Sequence, residues 1–593
     1  SCFPPLEQHL PAPMIFQPDA LPLDTRTALP TLDPLEHGAF VRKVREAKEE
    51  AGQAARPVRD AWIEARVAEA LDGQDPDDPD REAKAAALRD VFGQAVERSL
   101  LLGDFELIHE SGRRVTVGEV LDDPDRWHGK RFADPLEPDY GNDKRIAWAN
   151  LRAAGKPYLY SHAHGGRRFA LHRARSTVRV QAGERVEVVR RTLELLRLDG
   201  GAFDRGGELV RVTPGGEVVP LDLNGLQFLL DGVAKWEKFD GRRQEWAPCD
   251  CPEHVAKGVR AGRGEWGLPR LKAVVTAPTM DPGTGRAIER DGFDAETGLL
   301  VVCDRLDTWR GVPAQPTMDQ ARAAVTHVWT PFAEFPFTSA VDRGVMLAAI
   351  LTAAVRPALP TAPGFLFTAP TPGSGKTLLA ICLSILAGQH PPAVVPVSDQ
   401  AEEVRKRLLA LGRIDVKAVV LDNLVGQVED VALCSWLTSE TFTDRVLGAS
   451  DLVHVPTRCM TFLTGNNVTL KGDLCRRVLT CRIDPGSETP WRRAFAMDPA
   501  AHCLARRLEV IGGALTLLRA GLQGDIAPRD RTASFEAWSD LARRAVLWSA
   551  RHGLLDVADP VEAIEEAYDE DPESQIGFGC YSDSFDGFSF CFQ

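Results

Sequence analysis

Several things are scarce in this chain of 593 residues. Long apolar runs are absent. The run from Gly344 to Val355 stops at Arg356-Pro357, short of the about 20 residues that span a bilayer. No basic segment followed by an apolar core stands near the start, so no secretory signal and no membrane partner is expected. Positive charge is outweighed. There are 70 Lys and Arg against 85 Asp and Glu, a net charge of −15, which excludes a general polyanion binder. Any contact with nucleic acid must come from a local basic surface or a ring of repeated sites. Paired cysteines are also missing. The twelve are scattered, with Cys303, Cys382 and Cys434 inside apolar runs, the pattern of reduced thiols in a cytoplasmic protein. Cys249-Asp250-Cys251-Pro252-Glu253-His254 lacks the spacing and the second pair of a zinc site, and reads as a polar loop.

What is present begins at Gly364. The apolar run Gly364-Phe365-Leu366-Phe367-Thr368-Ala369 leads into Pro370-Thr371-Pro372-Gly373-Ser374-Gly375-Lys376-Thr377, and then into the helical Leu378-Leu379-Ala380. This is the layout of a phosphate-binding loop. Small residues let backbone N–H groups curl round an anion, and the following helix aims its positive end at the same charge. Residues Pro372 to Leu378 would hold the phosphates, with Lys376 on the β- and γ-phosphates and Thr377 on Mg²⁺. The pattern G-x-x-x-x-G-K-[ST] wants Gly where this chain has Pro370.

The neighbours of the loop alternate strand and helix. Strands are expected at 364–369, 393–397, 416–421 and 459–464, and helices at 341–357, 377–388, 401–411 and 428–437. Such alternation predicts an α/β fold, a parallel sheet with helices on both faces. Val419-Val420-Leu421-Asp422-Asn423 ends a strand in an acid, where phosphate-loop enzymes hold Mg²⁺ or its water. A second acid often follows; here Asn423 stands in its place. Either Asp422 does both jobs or the base comes from elsewhere. Asn466 and Asn467 end another strand, which is also simply a good turn. Arg476 and Arg477 offer an arginine finger, or a salt-bridged surface pair. Between these strands a hairpin is expected around 442–455, carrying Arg445 and His454.

The order PTPGSGKT at 370–377, VVLDN at 419–423, a hairpin, LTGNN at 463–467 and GDLCRR at 472–477 resembles the ATPase core of superfamily 3 helicases. The similarity is to phage- and plasmid-type primase–helicase proteins, over roughly 105–550. The resemblance implies an AAA+-like phosphate-loop core that hydrolyses ATP with Mg²⁺, forms a homo-hexameric ring and translocates on single-stranded DNA. It implies that Asn466 or Asn467, on a strand between the loop strand and the acidic strand, orients water, and that one of Arg476 and Arg477 acts in the ring, in cis or in trans. No D-x-D pair beside a basic pocket stands in 1–340, so primase chemistry is not found there. A primase domain ahead of Ser1 would account for that.

Upstream, 1–103 reads as a proline-rich linker followed by a charged helical segment, interrupted by an acidic loop at 72–80. Residues 104–200 form a small α+β domain, and 201–335 an α+β accessory region. The ATPase core is set at 336–490, a helical region at 491–573, and an atypical aromatic tail at 574–593. Ser161-His162-Ala163-His164-Gly165-Gly166 is expected to turn a hairpin, a segment that also resembles one upstream of the ATPase in such replication proteins. Arg167, Arg168 and the arginines up to Arg191 follow it, with Tyr158 and Tyr160 alongside. They form either a DNA-contacting platform of cations and rings or a structural hairpin with solvated arginines.

Two other readings compete. One is a nucleotide-switched scaffold or loader with little turnover, favoured by Asn423 and the acidic balance. The other is a small-molecule kinase, against which the long chain, the Asn pair and the double Arg speak.

Overall fold

The computed structural model describes residues 56–57, 59–71, 81–151, 157–163, 166–173, 176–303, 309–396, 401–445, 452–487, 489–493, 495–528 and 530–570. The proline-rich start, the acidic loop at 72–80, His164, Gly165, the turn of the 442–455 hairpin and the tail from Ser574 lie outside the described residues.

The chain divides into two compact units. One comprises Ser1–Asp122, Arg131–Trp148 and Leu159–His172; the other holds the remainder, including Arg173–Gln593. In the first, strands Tyr158–Ser161 and Arg167–Leu171, flanking the Ser161–Gly166 turn, are neighbours in a five-stranded sheet. Ser161 is buried there and donates to Asp134 at 2.6 Å.

The second unit contains five parallel strands: β1 (Gly364–Ala369), β2 (Ala393–Pro396), β3 (Ala418–Val428), β4 (Met460–Leu470) and β5 (Val478–Arg482). Their order across the sheet is β2-β3-β4-β1-β5. All six residues of β1 are buried, as a central parallel strand requires. Helices α1 (Ala340–Val355), α2 (Lys376–Ala387), α3 (Ala401–Arg413) and α4 (Val431–Thr438) belong to the same core. From Val341 to Val355 every residue of α1 except Arg343 is buried, so the short apolar run noted above is a core helix. Among the described residues no helix is long and apolar enough to cross a membrane.

Two differences from the expected elements have local causes. The helix expected from Val428 starts at Val431, because Asp430 caps it, accepting from the Leu433 N–H at 2.8 Å. The strands expected to end at Leu421 and Thr464 run on to Val428 and Leu470. They continue through two register slips. Leu421 faces Leu463 and Leu424 faces Gly465, so β3 carries one extra residue; Val425 then faces Asn466 and Gln427 faces Thr469, so β4 carries the next. Each extra residue is a bulge. Asn423 at φ +63° and Asn467 at φ +49° provide the left-handed backbone in the two strands, a region that asparagine tolerates better than most residues.

Gly465 sits where the two strands approach most closely. A Cβ on it would fall 2.2 Å from the Leu424 carbonyl oxygen, inside any allowed contact. Gly465→Ala is therefore expected to cost about 2–3 kcal/mol, read as a lower denaturation midpoint by circular dichroism. Gly426→Ala, where a Cβ meets no atom within 4 Å, should cost less, although its φ of +69° carries some strain.

Candidate active site

The slipped stretch of β3 and β4 lies beside the glycine-rich loop. Gly373 at φ +78° and Gly375 at φ +99° supply its two left-handed turns. Position 370 is not among the positive-φ residues, so the backbone there does not call for glycine; Pro370 is exposed. Ser374 is buried and donates to the Thr371 carbonyl at 2.6 Å, which closes the loop on itself. Pro372, Gly373 and Thr377 are exposed, and Leu378 is half-buried at the start of α2.

Lys376 is buried. Its Nζ donates to the Thr371 carbonyl at 3.1 Å and to Asn466 Oδ1 at 2.8 Å. Pairing of Ala369 with Asn466 across β1 and β4 fixes that second contact. Burial pushes the Lys376 ammonium below its usual pKa, while the negative charge of Asp422 opposes the change. Asp422 Oδ1 accepts from Thr377 Oγ1 at 3.3 Å and, by a short bond, from Thr464 Oγ1. Its Oδ2 accepts from Asn423 Nδ2 at 3.4 Å. The site thus holds two hydrogen-bonded groups, Lys376 with Asn466 and Thr377 with Asp422 and Thr464, linked by the charge of Asp422 acting on Lys376. Strand β4 lies between β1 and β3, as the resemblance requires of the strand bearing the asparagine.

Asn467 serves a different purpose from Asn466. Its positive φ belongs to the β4 bulge, and it lies next to Val468, whose N–H donates to Thr368 Oγ1 at 3.3 Å. Asn466 alone of the pair bonds Lys376. Thr464 was missed by sequence reasoning. Its signal is a hydroxyl in a wholly buried stretch of strand, one that Thr461 in the same stretch shares.

The arginines are held elsewhere within the chain. Arg476 Nε donates to Asp473 at 2.5 Å, and Arg477 Nη2 lies 2.6 Å from the other oxygen of Asp473. Arg477 is the more enclosed, at 13% side-chain exposure against 39% for Arg476. Its positive charge also opposes the upward push of burial on the Cys434 thiol.

The expected DNA contacts divide similarly. Strands Thr441–Arg445 and Leu452–Pro456 pair antiparallel as expected, with Arg445 opposite Leu452; the Arg445 side chain lies outside the described residues. His454 is exposed, and its Nδ1 sits 2.7 Å from Thr443 Oγ1. Arg167 donates to Ser99 Oγ at 2.8 Å and to the Val96 carbonyl at 2.6 Å, and it stacks over Phe169. Arg168 is exposed. Three further members of the basic stretch are neutralised: Arg179 by Glu237 at 3.0 Å, Arg190 by Glu187 at 2.7 Å and Arg191 by Glu194 at 3.1 Å. The stretch is also divided between the two units, at His172 and Arg173.

No protein-family model matches the chain, and no curated protein matches it. Among solved structures, it is similar to the JCV helicase at 17% identity and a TM-score of 0.21. That match covers 40% of this chain and 61% of the helicase chain, less than two thirds of it. It is also similar to the apo NrS-1 C-terminal region, at 12% identity and a TM-score of 0.29, over 55% of this chain and 68% of that one.

Because Asp422 props up the Lys376 ammonium against burial, Asp422→Asn should lower the lysine pKa further. Lysine-selective NMR titration checks this. The sign also fixes a stability effect. A folded pKa below the unfolded one means that the unfolded chain binds more protons between the two values, so stability rises with pH through that window. The window should widen downward in the variant.

Proposed function

We propose that the chain is an ATP-hydrolysing DNA helicase of the superfamily 3 type, the C-terminal part of a phage- or plasmid-type primase–helicase. The observation that carries the reading is the pair of adjacent hydrogen-bonded groups, Lys376 with Asn466 and Thr377 with Asp422, at one end of a parallel sheet, with the Asp422 charge acting on Lys376. Lys376 would hold the β- and γ-phosphates of ATP, as the loop pattern implies. Thr377 Oγ1 and Asp422 Oδ1, 3.3 Å apart, are the hard oxygen donors that Mg²⁺ prefers. The ion would supply neutralisation of the phosphate charge. Asn466 would orient the attacking water while bonded to Lys376. Arg476, more exposed than Arg477, is the better placed of the two to reach a neighbouring subunit of a homo-hexamer. His454 and Arg445 on the hairpin are the residues assigned to single-stranded DNA.

One observation favours a nucleotide-switched scaffold instead. Asn423, in the place of the second acid, is an amide that donates to Asp422 and cannot take a proton from water. Asp422 already accepts three hydrogen bonds.

Steady-state ATP hydrolysis, with and without single-stranded DNA, separates the two. A helicase should show DNA-stimulated turnover that Lys376→Ala abolishes and Asn466→Ala lowers about 10²-fold, the scale for loss of one group stabilising a transition state. Turnover equal to that of Lys376→Ala, with ATP-dependent assembly intact, would establish the switch. ATP binding with neither DNA stimulation nor a hexamer by mass would overturn the helicase reading.

A further inference from the structure

The segment after β5 is tied to the glycine-rich loop on two sides. Pro490–Arg492 form a single 3-10 turn, with Pro490 buried. The Arg493 guanidinium stacks over Phe495 and donates to the Glu334 carbonyl. The Ala496 N–H donates to the Glu334 carboxylate at 3.2 Å. Phe495 packs on Phe335 with ring centroids 5.0 Å apart. Phe335 in turn lies under the loop, 3.1 Å from where a Cβ on Gly375 would stand. On the other side, the backbone and Cβ of Trp491 lie 3.3–3.7 Å from the corresponding point on Gly373. The turn is therefore anchored through Pro490, Arg493 and Phe495, and it abuts the loop through Trp491.

Given that anchoring, the state of the Trp491 side chain is anomalous. It is 65% exposed, although tryptophan carries a large apolar surface and is highly buried on average. Nothing in the turn demands an indole there, since the contact with Gly373 is made by backbone and Cβ atoms that any residue would supply. Its chain neighbour Arg492 is an exposed cation, which suits an anionic ligand and not an apolar protein surface.

We propose that Trp491 is the stacking platform for the purine base of the nucleotide held by residues 372–378. This inference rests on the phosphate-loop reading above and adds the subsite for the other end of the ligand. A nucleoside triphosphate has one flat, polarisable part, its base. Lys376 and Thr377 claim the phosphate end, which leaves the base to the flank of the loop, where Trp491 abuts Gly373 through its backbone and Cβ and keeps its indole exposed. Stacking of this kind tolerates any purine, because every base has a π-face. The site should therefore discriminate poorly between ATP and GTP while distinguishing both from a ligand that has no base.

The test compares binding of Mg-ATP and Mg-tripolyphosphate by calorimetry. Tripolyphosphate presents the same phosphates without a base. Trp491→Ala should weaken ATP binding about 10-fold, within the range for loss of one base–aromatic stack, and leave tripolyphosphate binding unchanged. Trp491→Phe should restore most of the ATP affinity. Because the side chain is exposed, the thermal midpoint of Trp491→Ala should match the wild type. Equal weakening of both ligands would make Trp491 a buttress of the loop and overturn the proposal, as would wild-type ATP affinity in Trp491→Ala. Lys376→Ala should weaken both ligands. A wild-type protein that binds neither ligand overturns the phosphate-loop reading, and this inference with it. One that binds both but ignores Trp491 overturns this inference alone.

Discussion

The close approach of β3 and β4 at Gly465 is the constraint on which the site depends. Parallel strands in uniform register hold side chains at a fixed pitch, alternately on either face. Here one residue is inserted in β3 and the next in β4, so the register slips and is then restored. Within the slip, Thr464 reaches Asp422 and Asn466 reaches Lys376. Both insertions require backbone that β-branched residues adopt poorly, and the chain has asparagine at positive φ in each strand. The contact leaves no room for a Cβ on Gly465. The motif LTGNN is therefore as much a statement about backbone as about chemistry: glycine for approach, the second asparagine for the bulge, and the first asparagine for the lysine.

The start of β3 is fixed by buried charge. Asp415 sits at φ +57° just before the strand. One of its oxygens accepts from Arg205 at 2.8 Å; the other accepts from the Val274 N–H at 3.0 Å and from Lys417. All three charged side chains are buried. Removing Asp415 would leave two buried cations without their anion and cost about 3–5 kcal/mol. Arg205 also donates to the Gly412 carbonyl at 2.6 Å, at the end of α3. The next residue, Gly206, leaves no space for a side chain against the His454 carbonyl. Residues 205–206 of the accessory region thus touch the turn that leads into the strand bearing Asp422, and the hairpin bearing His454. A displacement of either would be felt by the same turn.

Much of this was legible in the sequence, and the part that was not has physical reasons. Apolar runs bounded by glycine and proline marked the strands and helices of the core to within a few residues, because a buried parallel sheet needs continuous apolar segments. The loop was legible because its glycines are needed for backbone conformation. The extension of β3 and β4 was not, since Asn, Gly and Thr are also the residues of turns and only pairing with a neighbour turns them into strand. Thr464 was hidden by its apolar context. The pairing of Arg476 and Arg477 with Asp473, three and four residues away, is the salt-bridged alternative that the sequence offered. In the basic stretch around Arg179–Arg191, too, three arginines have acidic partners within the chain. Counting only arginines overlooked Glu187 and Glu194 inside it and Glu237 on a neighbouring strand.

Asn423 brings backbone and chemistry into conflict. Its left-handed φ favours asparagine, but aspartate also enters that region, so conformation alone does not choose the amide over the acid. The choice is made by the neighbour. An amide at 423 donates to Asp422 Oδ2, whereas a carboxylate there would set two anions side by side at the edge of the loop, each disfavouring the charge of the other. The amide leaves one anion facing Thr377 and Lys376, which suits holding a cation and its phosphates. The same substitution removes the nearest candidate for a general base. Under the proposed ATPase reading, such a site favours binding over hydrolysis. Any rapid turnover must then rest on Asp422 acting alone, on Asn466 holding the water, or on charge supplied from outside the chain.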